Sequence, residues 1–596
     1  MDKARNDAAE RLGHLRAELA RRGLDGFLVP MADDYQNEYV PDRARRIAWL
    51  TGFTGSAGLV VVLAERAAAF TDGRYTLQME EQVDGGLYQR LHITDQPPTD
   101  WLADNLAAGA KVGYDAWLFT PDGVARFDKA VAKAGGELVA VADNPLDAVW
   151  RDQPEPPMAP VVPHDLAHAG ESHGDKRARL AKTLAEAGCR AAVITAPDSI
   201  AWLLNIRGGD VAHSPLPLSR AILQADGHCD LFLEPAKHGP GLEGHLGNQV
   251  TCRAPADFAA ALDDLKDAKV RVDPALAPAW VFERLAAAGA EIAREADPCQ
   301  LPKAIKNQVE LAGARTAHRR DGVAMARFLR WLADSAPGEG VDELAAEAAL
   351  AELRGQGDLF RDLSFPTITG AGPNGAIVHY RVSADSNRPL AGGSLYLVDS
   401  GAQYLDGTTD VTRTVAVGEP TAEMRDRFTR VLMGHIAIAT CRFPKGTTGA
   451  QLDTLARQAL WQAGLDFDHG TGHGVGNYLN VHEGPQGISK RSQTQALEPG
   501  MVVSNEPGYY KAGEYGIRIE NLLAVREAAI VGAEREMLEF ETLTRAPIDR
   551  HAIEPALLSP AAKAWLNAYH QTVHDDLAEQ LDADERAWLA EATAPI

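Results

Sequence analysis

The spacing of hydrophobic positions changes period several times along the chain, and each change predicts an element. Leu12, Leu15 and Leu19 recur at helical spacing within a charged N-terminal segment, the mark of an amphipathic helix. Short apolar runs follow, GFLVP at 26–30, GLVVVL at 58–63 and AAAFT at 67–71, each of a length suited to a buried strand. A second series opens after another helical stretch with AAVIT at 191–195. Helix and strand alternate in both series, which predicts layered α/β domains. Ile47-Ala48-Trp49-Leu50 recurs as Ile200-Ala201-Trp202-Leu203, and Val112-Gly113-Tyr114-Asp115 is echoed by Val270-Arg271-Val272-Asp273. The offsets of 153 and 158 residues nearly agree, so the two series read as copies of one fold with small insertions between them.

From about residue 303 the pattern is different. Helical periodicity covers 303–333 and 341–355, short strands and turns follow, and further helices are predicted at 421–440 and 449–463 before strands return. The tail after 547 reads as helical: Ser559-Pro560 is an N-cap with a first-turn proline, and Trp565, Tyr569 and Val573 form an apolar stripe fit for docking. Five prolines crowd 151–163, which predicts a stiff extended linker. With further breaks near Pro298–Pro302 and Pro547, the expected domains are 1–152, 165–300, 303–546 and 547–596.

Composition narrows the function. A chain of 596 residues is too long for one core. Acidic residues outnumber basic ones by 83 to 59, and the net charge of −24 repels polyanions, so neither nucleic acid nor an anionic membrane is an expected partner. The five cysteines, Cys189, Cys229, Cys252, Cys299 and Cys441, are scattered without a CxxC pair. That points to reduced thiols in a cytoplasmic protein and to no thiolate metal site. Neither an apolar signal core at the N-terminus nor a membrane-length apolar run is present in the sequence.

Candidate chemistry gathers in three pieces of the C-terminal half. VDSGAQYLDGTTDVTRTVAV (398–417) reads as a β-hairpin turning at Asp406-Gly407, so Asp399 and Asp410 can meet across its arms. HGTGHGVGNYLNVHEGP (469–485) sets His469, His473 and His482 among glycines, which allow close backbone approach to a ligand. MVVSNEPG ends in Glu506, and GIRIENLLAV (516–525) alternates, with Ile517 and Ile519 on one face and Arg518 and Glu520 on the other. Taken singly, these pieces read as well as turn aspartates, a structural histidine or an ion-pair network. Together, four carboxylates and one imidazole suit two divalent cations, Mn²⁺ foremost, with Zn²⁺, Co²⁺ and Fe²⁺ as alternatives. Such a pair would bring the pKa of a shared water from about 15.7 towards neutrality and polarise a carbonyl, which suits amide hydrolysis.

The motifs DSGAQYLDGTTDVTRT, GHGVGNYLNVHEGP, SNEPGYY and GIRIEN, with IVHY at 377–380, resemble those of the pita-bread (M24) metallopeptidases. Within them they are similar to the three-domain cytosolic Xaa-Pro aminopeptidases, or aminopeptidase P. WLTGFTGSAG and FTDGRY carry the resemblance through the front of the chain. It implies a mixed α/β and α+β architecture: two creatinase-N-like α/β domains, a pita-bread catalytic domain and a helical tail. It implies that Asp399 chelates one metal, that Asp410 and Glu520 bridge two, and that His473 and Glu506 complete the other. His379, His469 and His482 would line the substrate pocket, with His482 on the reacting carbonyl, and Arg518 would stand beside the bridging glutamate. Glu506 or a histidine would carry a proton to the leaving nitrogen. The implied substrates are peptides with proline second, and the implied assembly is a homodimer.

The rival enzymatic reading is a prolidase, restricted to Xaa-Pro dipeptides. The duplicated front domains favour the aminopeptidase, and also disfavour methionine aminopeptidase, whose catalytic domain usually stands alone. Intact ligands disfavour the metal-free creatinase chemistry and a catalytically inactive peptide-binding scaffold.

Overall fold

The computed structural model describes residues 2–336, 340–490 and 494–596. In the front half the first copy builds a six-stranded sheet from Gly26–Pro30, Leu59–Leu63, Ala67–Thr71, Gln89–His92, Lys111–Asp115 and Glu137–Val141. Numbered along the chain, these strands lie in the order 4-3-2-1-5-6. The second copy repeats that order with Ala191–Ile194, Arg220–Gln224, Cys229–Phe232, Val250–Arg253, Lys269–Val272 and Glu291–Arg294. The pairing senses agree too: in each copy the first strand meets the second antiparallel and the fifth parallel. The recurring Ile-Ala-Trp-Leu lies in the helices Arg46–Thr51 and Pro197–Leu204, and the echoed Val-x-x-Asp lies at the fifth strand of each sheet. Duplication, predicted from two four-residue motifs, is therefore a property of the whole topology.

The unbroken apolar runs follow from burial of both sheet faces. In the first copy Phe27, Val29, Val60 and Val62 pack on one face with Leu12, Leu15 and Leu19 of the N-terminal helix. Leu28, Val61 and Leu63 pack on the other with Trp101 and Phe127. The two copies are joined: Trp117 stacks on Trp280 with centroids 4.1 Å apart. Arg220 is buried with its guanidinium 4.5 Å from the ring centroids of both Tyr35 and Trp117, and it pairs with Asp34.

By mutual packing the chain divides into one unit of residues 1–164 and 171–299 and a second of residues 165–170 and 300–596. The short helix Leu166–Ala169 thus belongs with the second unit, although the sequence boundaries placed it in the second front domain. It contacts the helix Gln308–Ser335, and the Asn307 amide donates to Ala169 O at 2.8 Å.

In the second unit Ser394–Ser400 pairs with Ile368–Ala371 and with Val411–Val417 in one antiparallel sheet. A six-stranded sheet runs Arg442–Pro444, Met537–Thr542, Asn521–Glu527, Val502–Asn505, Gly472–Gly474, Glu483–Ile488. A two-stranded ribbon, Gly508–Lys511 with Tyr515–Arg518, lies in sequence between Val502–Asn505 and Asn521–Glu527 of that sheet. The helices Ala422–Thr440 and Gly449–Trp461 pack against each other and bury Phe428, Val431, Leu432 and Leu460 in the core.

Three expectations are modified. The helical run from 303 is broken, with Gln300–Ala304 and Gln308–Ser335 separated by residues 305–307, the last of which, Asn307, forms a capping box with Glu310. The hairpin arms splay after Ser400, and its tip forms Ala402–Tyr404 with Gly407–Thr408 in a separate small sheet. The tail helix begins only at Pro560, capped by Ser559, and runs to Leu577. Its Tyr569 and Val573 are buried in the same core as Ile517 and Ile519, so the stripe docks as the sequence suggested. No helix among the described residues is long and apolar enough to cross a membrane.

The start of this unit is locked by a buried ion cluster. Lys303 Nζ lies 2.7 Å from Glu483 Oε2 and Lys306 contacts Glu483 Oε1, all three side chains being almost wholly buried. Removing a buried counter-charge costs more than the pair contributes, because the stranded ions stay desolvated. Glu483→Gln is expected to destabilise this unit by about 3–5 kcal/mol. Calorimetric unfolding of the full-length variant checks this, and an unchanged midpoint would refute it.

Candidate metal centre

Strand pairing brings the five candidate ligands together. Asp399 lies in Ser394–Ser400 directly opposite Thr412, and Asp410 immediately precedes Val411, the partner of Ser400. Glu506 immediately follows Asn505 and Glu520 immediately precedes Asn521, and these two asparagines face each other in register. The two glutamates therefore leave the ends of neighbouring strands. Glu520 N donates to Thr412 O at 3.1 Å, which ties this sheet edge to the hairpin. His473 sits in Gly472–Gly474, beside Val502–Asn505. Its glycine neighbours are required by space: a Cβ on Gly472 would meet Ser504 O at 2.0 Å, and one on Gly474 would meet Glu483 O at 2.2 Å.

Asp410, His473 and Glu520 each offer a ligand atom within 4.8 Å of the others. His473 Nε2 lies 3.4 Å from Asp410 Oδ2 and 3.7 Å from Glu506 Oε1. Asp399 lies outside this tightest group and is reached through Arg518, whose Nη2 donates to Asp399 Oδ2 at 2.6 Å. In three of the carboxylates one oxygen is held and the other is not. Thr412 Oγ1 donates to Glu520 Oε2 at 2.7 Å, while Glu520 Oε1, Asp410 Oδ1 and Asp399 Oδ1 are buried without a hydrogen-bond partner among the described residues. Buried oxygens are ordinarily satisfied, so three orphaned acceptors in one pocket are the cradle that a cation fits. The imidazole fits as well: its Nδ1 is 2.9 Å from Gly474 O, so Nδ1–H donates there and Nε2 faces the carboxylates, where it can ligate a cation once its own proton is lost.

The charges are in tension. Burial, reinforced by Asp410, Glu506 and Asp399, lifts the Glu520 carboxyl far above the usual range. Burial also raises Asp410, with Asp399 adding and His473 opposing, and raises Glu506 against the pull of His473 and Arg518. Burial opposes charge on His473, but the hydrogen bond to Asp410 and the Glu506 charge outweigh it and bring its pKa up to about 9. Carboxylates packed this closely resist ionisation unless positive charge joins them.

Arg518 is the hub of the pocket wall. Besides Asp399 it donates to Tyr510 Oη at 2.6 Å, to Thr412 Oγ1 at 3.3 Å and to Val378 O at 3.2 Å, next to His379. Tyr510 lies 2.8 Å from His469 Nε2, and His469 Nδ1 is 4.0 Å from Glu506 Oε2. The His482 ring centroid is 4.4 Å from that of His473. The predicted histidines and Arg518 thus border the five ligands, with His379, in a turn, placed through its neighbour Val378. Thr412, Ser504 and Tyr510 were missed as site residues. Ser504 Oγ donates to Glu506 Oε1 at 3.2 Å and accepts from His473 N at 2.9 Å. Their positions two residues from a candidate ligand (Thr412 and Ser504) or opposite Arg518's strand (Tyr510) were the available signal.

The sequence profile of metallopeptidase family M24 matches residues 312–527, and that of its C-terminal region matches 536–596. The creatinase/prolidase N-terminal domain matches twice, at 11–148 and 152–310. A probable Xaa-Pro aminopeptidase P of Paracoccidioides brasiliensis is 40% identical over 99% of both chains, and one of Aspergillus niger is 39% identical over 99% of both. The crystal structure of an X-prolyl aminopeptidase from Caenorhabditis elegans, described as a cytosolic enzyme with a di-nuclear active site, superposes with a TM-score of 0.94 at 35% identity. It covers 99% of this chain and 100% of its own. On the match of fold, domain order and sequence across its full length, the chain belongs to the Xaa-Pro aminopeptidase P family of M24 metallopeptidases.

Proposed function

We propose that this protein is a dimetal Xaa-Pro aminopeptidase, which hydrolyses the bond between an N-terminal residue and a penultimate proline. The observation that carries the reading is the pocket of orphaned carboxylate oxygens around His473 in a chain so similar throughout to this family. Asp399, Asp410, His473, Glu506 and Glu520 would hold the two cations, with Asp410 and Glu520 shared. When bound, the ions supply a water acidified towards neutrality and an electrophile for the scissile carbonyl.

The protein's residues do the rest. Anionic ligands and the Glu506 side attract the free α-amine of the substrate and set its register. His482, beside His473, donates to the carbonyl oxygen as negative charge develops there. His379 and His469 border the pocket and orient the residue before proline. Glu506, at the pocket edge beside His469, takes a proton from the attacking water and delivers it to the proline nitrogen as the bond breaks. That nitrogen carries no N–H, so peptidases that grip the amide hydrogen fail on it, whereas attack from a fixed water needs no such grip. Arg518 acts through Asp399 and Tyr510 by holding their orientation. Manganese as native ion and a homodimeric state complete the reading, together with a cytosolic location, the last being what is described for the nematode enzyme.

The metal-stripped protein, reloaded with Mn²⁺, is expected to release the first residue from Arg-Pro-Pro tripeptides and to leave an Xaa-Ala control intact. Cleavage restricted to Xaa-Pro dipeptides would instead assign a prolidase, and equal rates on Xaa-Ala would refute proline selectivity. Asp410→Asn removes charge shared between two cations, and kcat should fall by at least about a thousandfold with loss of stoichiometric Mn²⁺; retained turnover would contradict the bridging role. Because His473 is protonated below about pH 9 without metal, loading must expel that proton. Calorimetry in buffers of different ionisation enthalpy should show proton release at pH 7.5, with affinity weakening as pH falls; absence of release would show that the imidazole is not a ligand.

A further inference from the structure

A buried polar network joins the main chain of the two candidate glutamate ligands to the C-terminal tail. Arg413, three residues after Asp410, is fully buried. Its Nε donates to Pro547 O at 2.9 Å, and its Nη1 to Thr412 O at 2.8 Å and Glu520 O at 2.6 Å. Its Nη2 donates to Asn521 Oδ1 at 2.8 Å, Ala546 O at 2.8 Å and Tyr569 Oη at 3.0 Å. None of these acceptors is a carboxylate. A buried guanidinium satisfied by carbonyls, an amide and a phenol is costly as a stability device, and its geometry is what it contributes.

The network continues to the second glutamate. The Asn521 amide donates to His435 Nε2 at 3.1 Å, so the imidazole proton resides on Nδ1, which donates to Asn505 O at 3.1 Å. The Asn505 amide returns a bond to His435 O at 2.9 Å. Asn521 follows Glu520 and Asn505 precedes Glu506, so the network fixes the backbone of both ligands. The tail closes it. Tyr569 Oη donates to Ala546 O at 2.8 Å, and Trp565 stacks on Tyr569 and meets the His435 ring edge-on at 5.9 Å.

We propose that Tyr569 and His435 are positioning residues of the metal centre: through Arg413, Asn521 and Asn505 they hold Glu520 and Glu506 in place, so the C-terminal tail sets metal affinity. This rests on the dimetal reading above. A group that orients metal ligands from behind is worth about 10–100-fold in affinity.

The test is calorimetric titration of Mn²⁺ into full-length, metal-free protein, with the thermal midpoint of each metal-free sample measured in parallel. Tyr569→Phe should bind Mn²⁺ about 10–100-fold more weakly, keep a near-unchanged midpoint, and regain kcat when Mn²⁺ is saturating. Val573→Ala loosens the same helix without removing the hydroxyl; it should lower the midpoint and leave affinity unchanged. His435→Asn keeps a donor for Asn505 and loses the acceptor for Asn521, so it should weaken binding as Tyr569→Phe does and decides the matter if that variant does not fold. Wild-type affinity in either folded variant, or equal weakening by Val573→Ala, would overturn the proposal. If the unaltered protein bound no Mn²⁺, the dimetal reading itself would fall and this inference with it.

Discussion

Mutual repulsion among buried carboxylates is the constraint around which the catalytic unit is built. Asp399, Asp410, Glu506 and Glu520 converge where burial raises the cost of every negative charge, and the foremost partners are the His473 imidazole and the Arg518 guanidinium, with His469 and His482 close by. Left alone, such a group resolves the conflict by binding protons. With divalent cations it resolves it by coordination, and the oxygens that lack hydrogen-bond donors become the ones with a use. A pocket that is unfavourable for the protein alone is thereby selective for doubly charged ions.

Holding that arrangement takes a scaffold in which few ligands can rotate. Each acid stands at a strand or strand end, where the main chain is fixed by ladder hydrogen bonds. Thr412, Ser504 and Arg518 then pin one oxygen of Glu520, Glu506 and Asp399, so that the choice of which oxygen faces the pocket is made before any ion arrives. The same Arg518 reaches Tyr510 and Val378, which couples the ligand wall to the segment bearing His379. A substrate with proline second presents a rigid kink and no amide hydrogen, and a rigid pocket meets it without needing either.

The front unit follows a different logic. Its two sheets share strand order and pairing sense, although the sequences that form them agree in only short stretches such as Ile-Ala-Trp-Leu. What each copy preserves is the alternation of faces, with successive apolar residues serving opposite cores. The copies meet through Trp117, Trp280 and the enclosed Arg220, side chains that carry no signature of contact in the sequence itself.

Local chemistry was legible from the sequence. The strands at 26–30, 59–63, 67–71 and 191–194, the Ser559 cap and the stripe of Tyr569 and Val573 are set by neighbours within a few residues, and they stand as the pattern implies. The five ligand candidates were also legible, because glycine-flanked histidine and acids beside turns are rare enough in combination to be noticed. Tertiary structure alone decided which oxygens are held and which are left open, the role of Tyr510, the Lys303–Lys306–Glu483 cluster and the path from Tyr569 to Glu506. It also decided that Leu166–Ala169 packs with the later unit. These features depend on contacts between residues tens to hundreds of positions apart. No periodicity or spacing encodes such a contact, because its distance is fixed only when the strands have paired and the tail has docked.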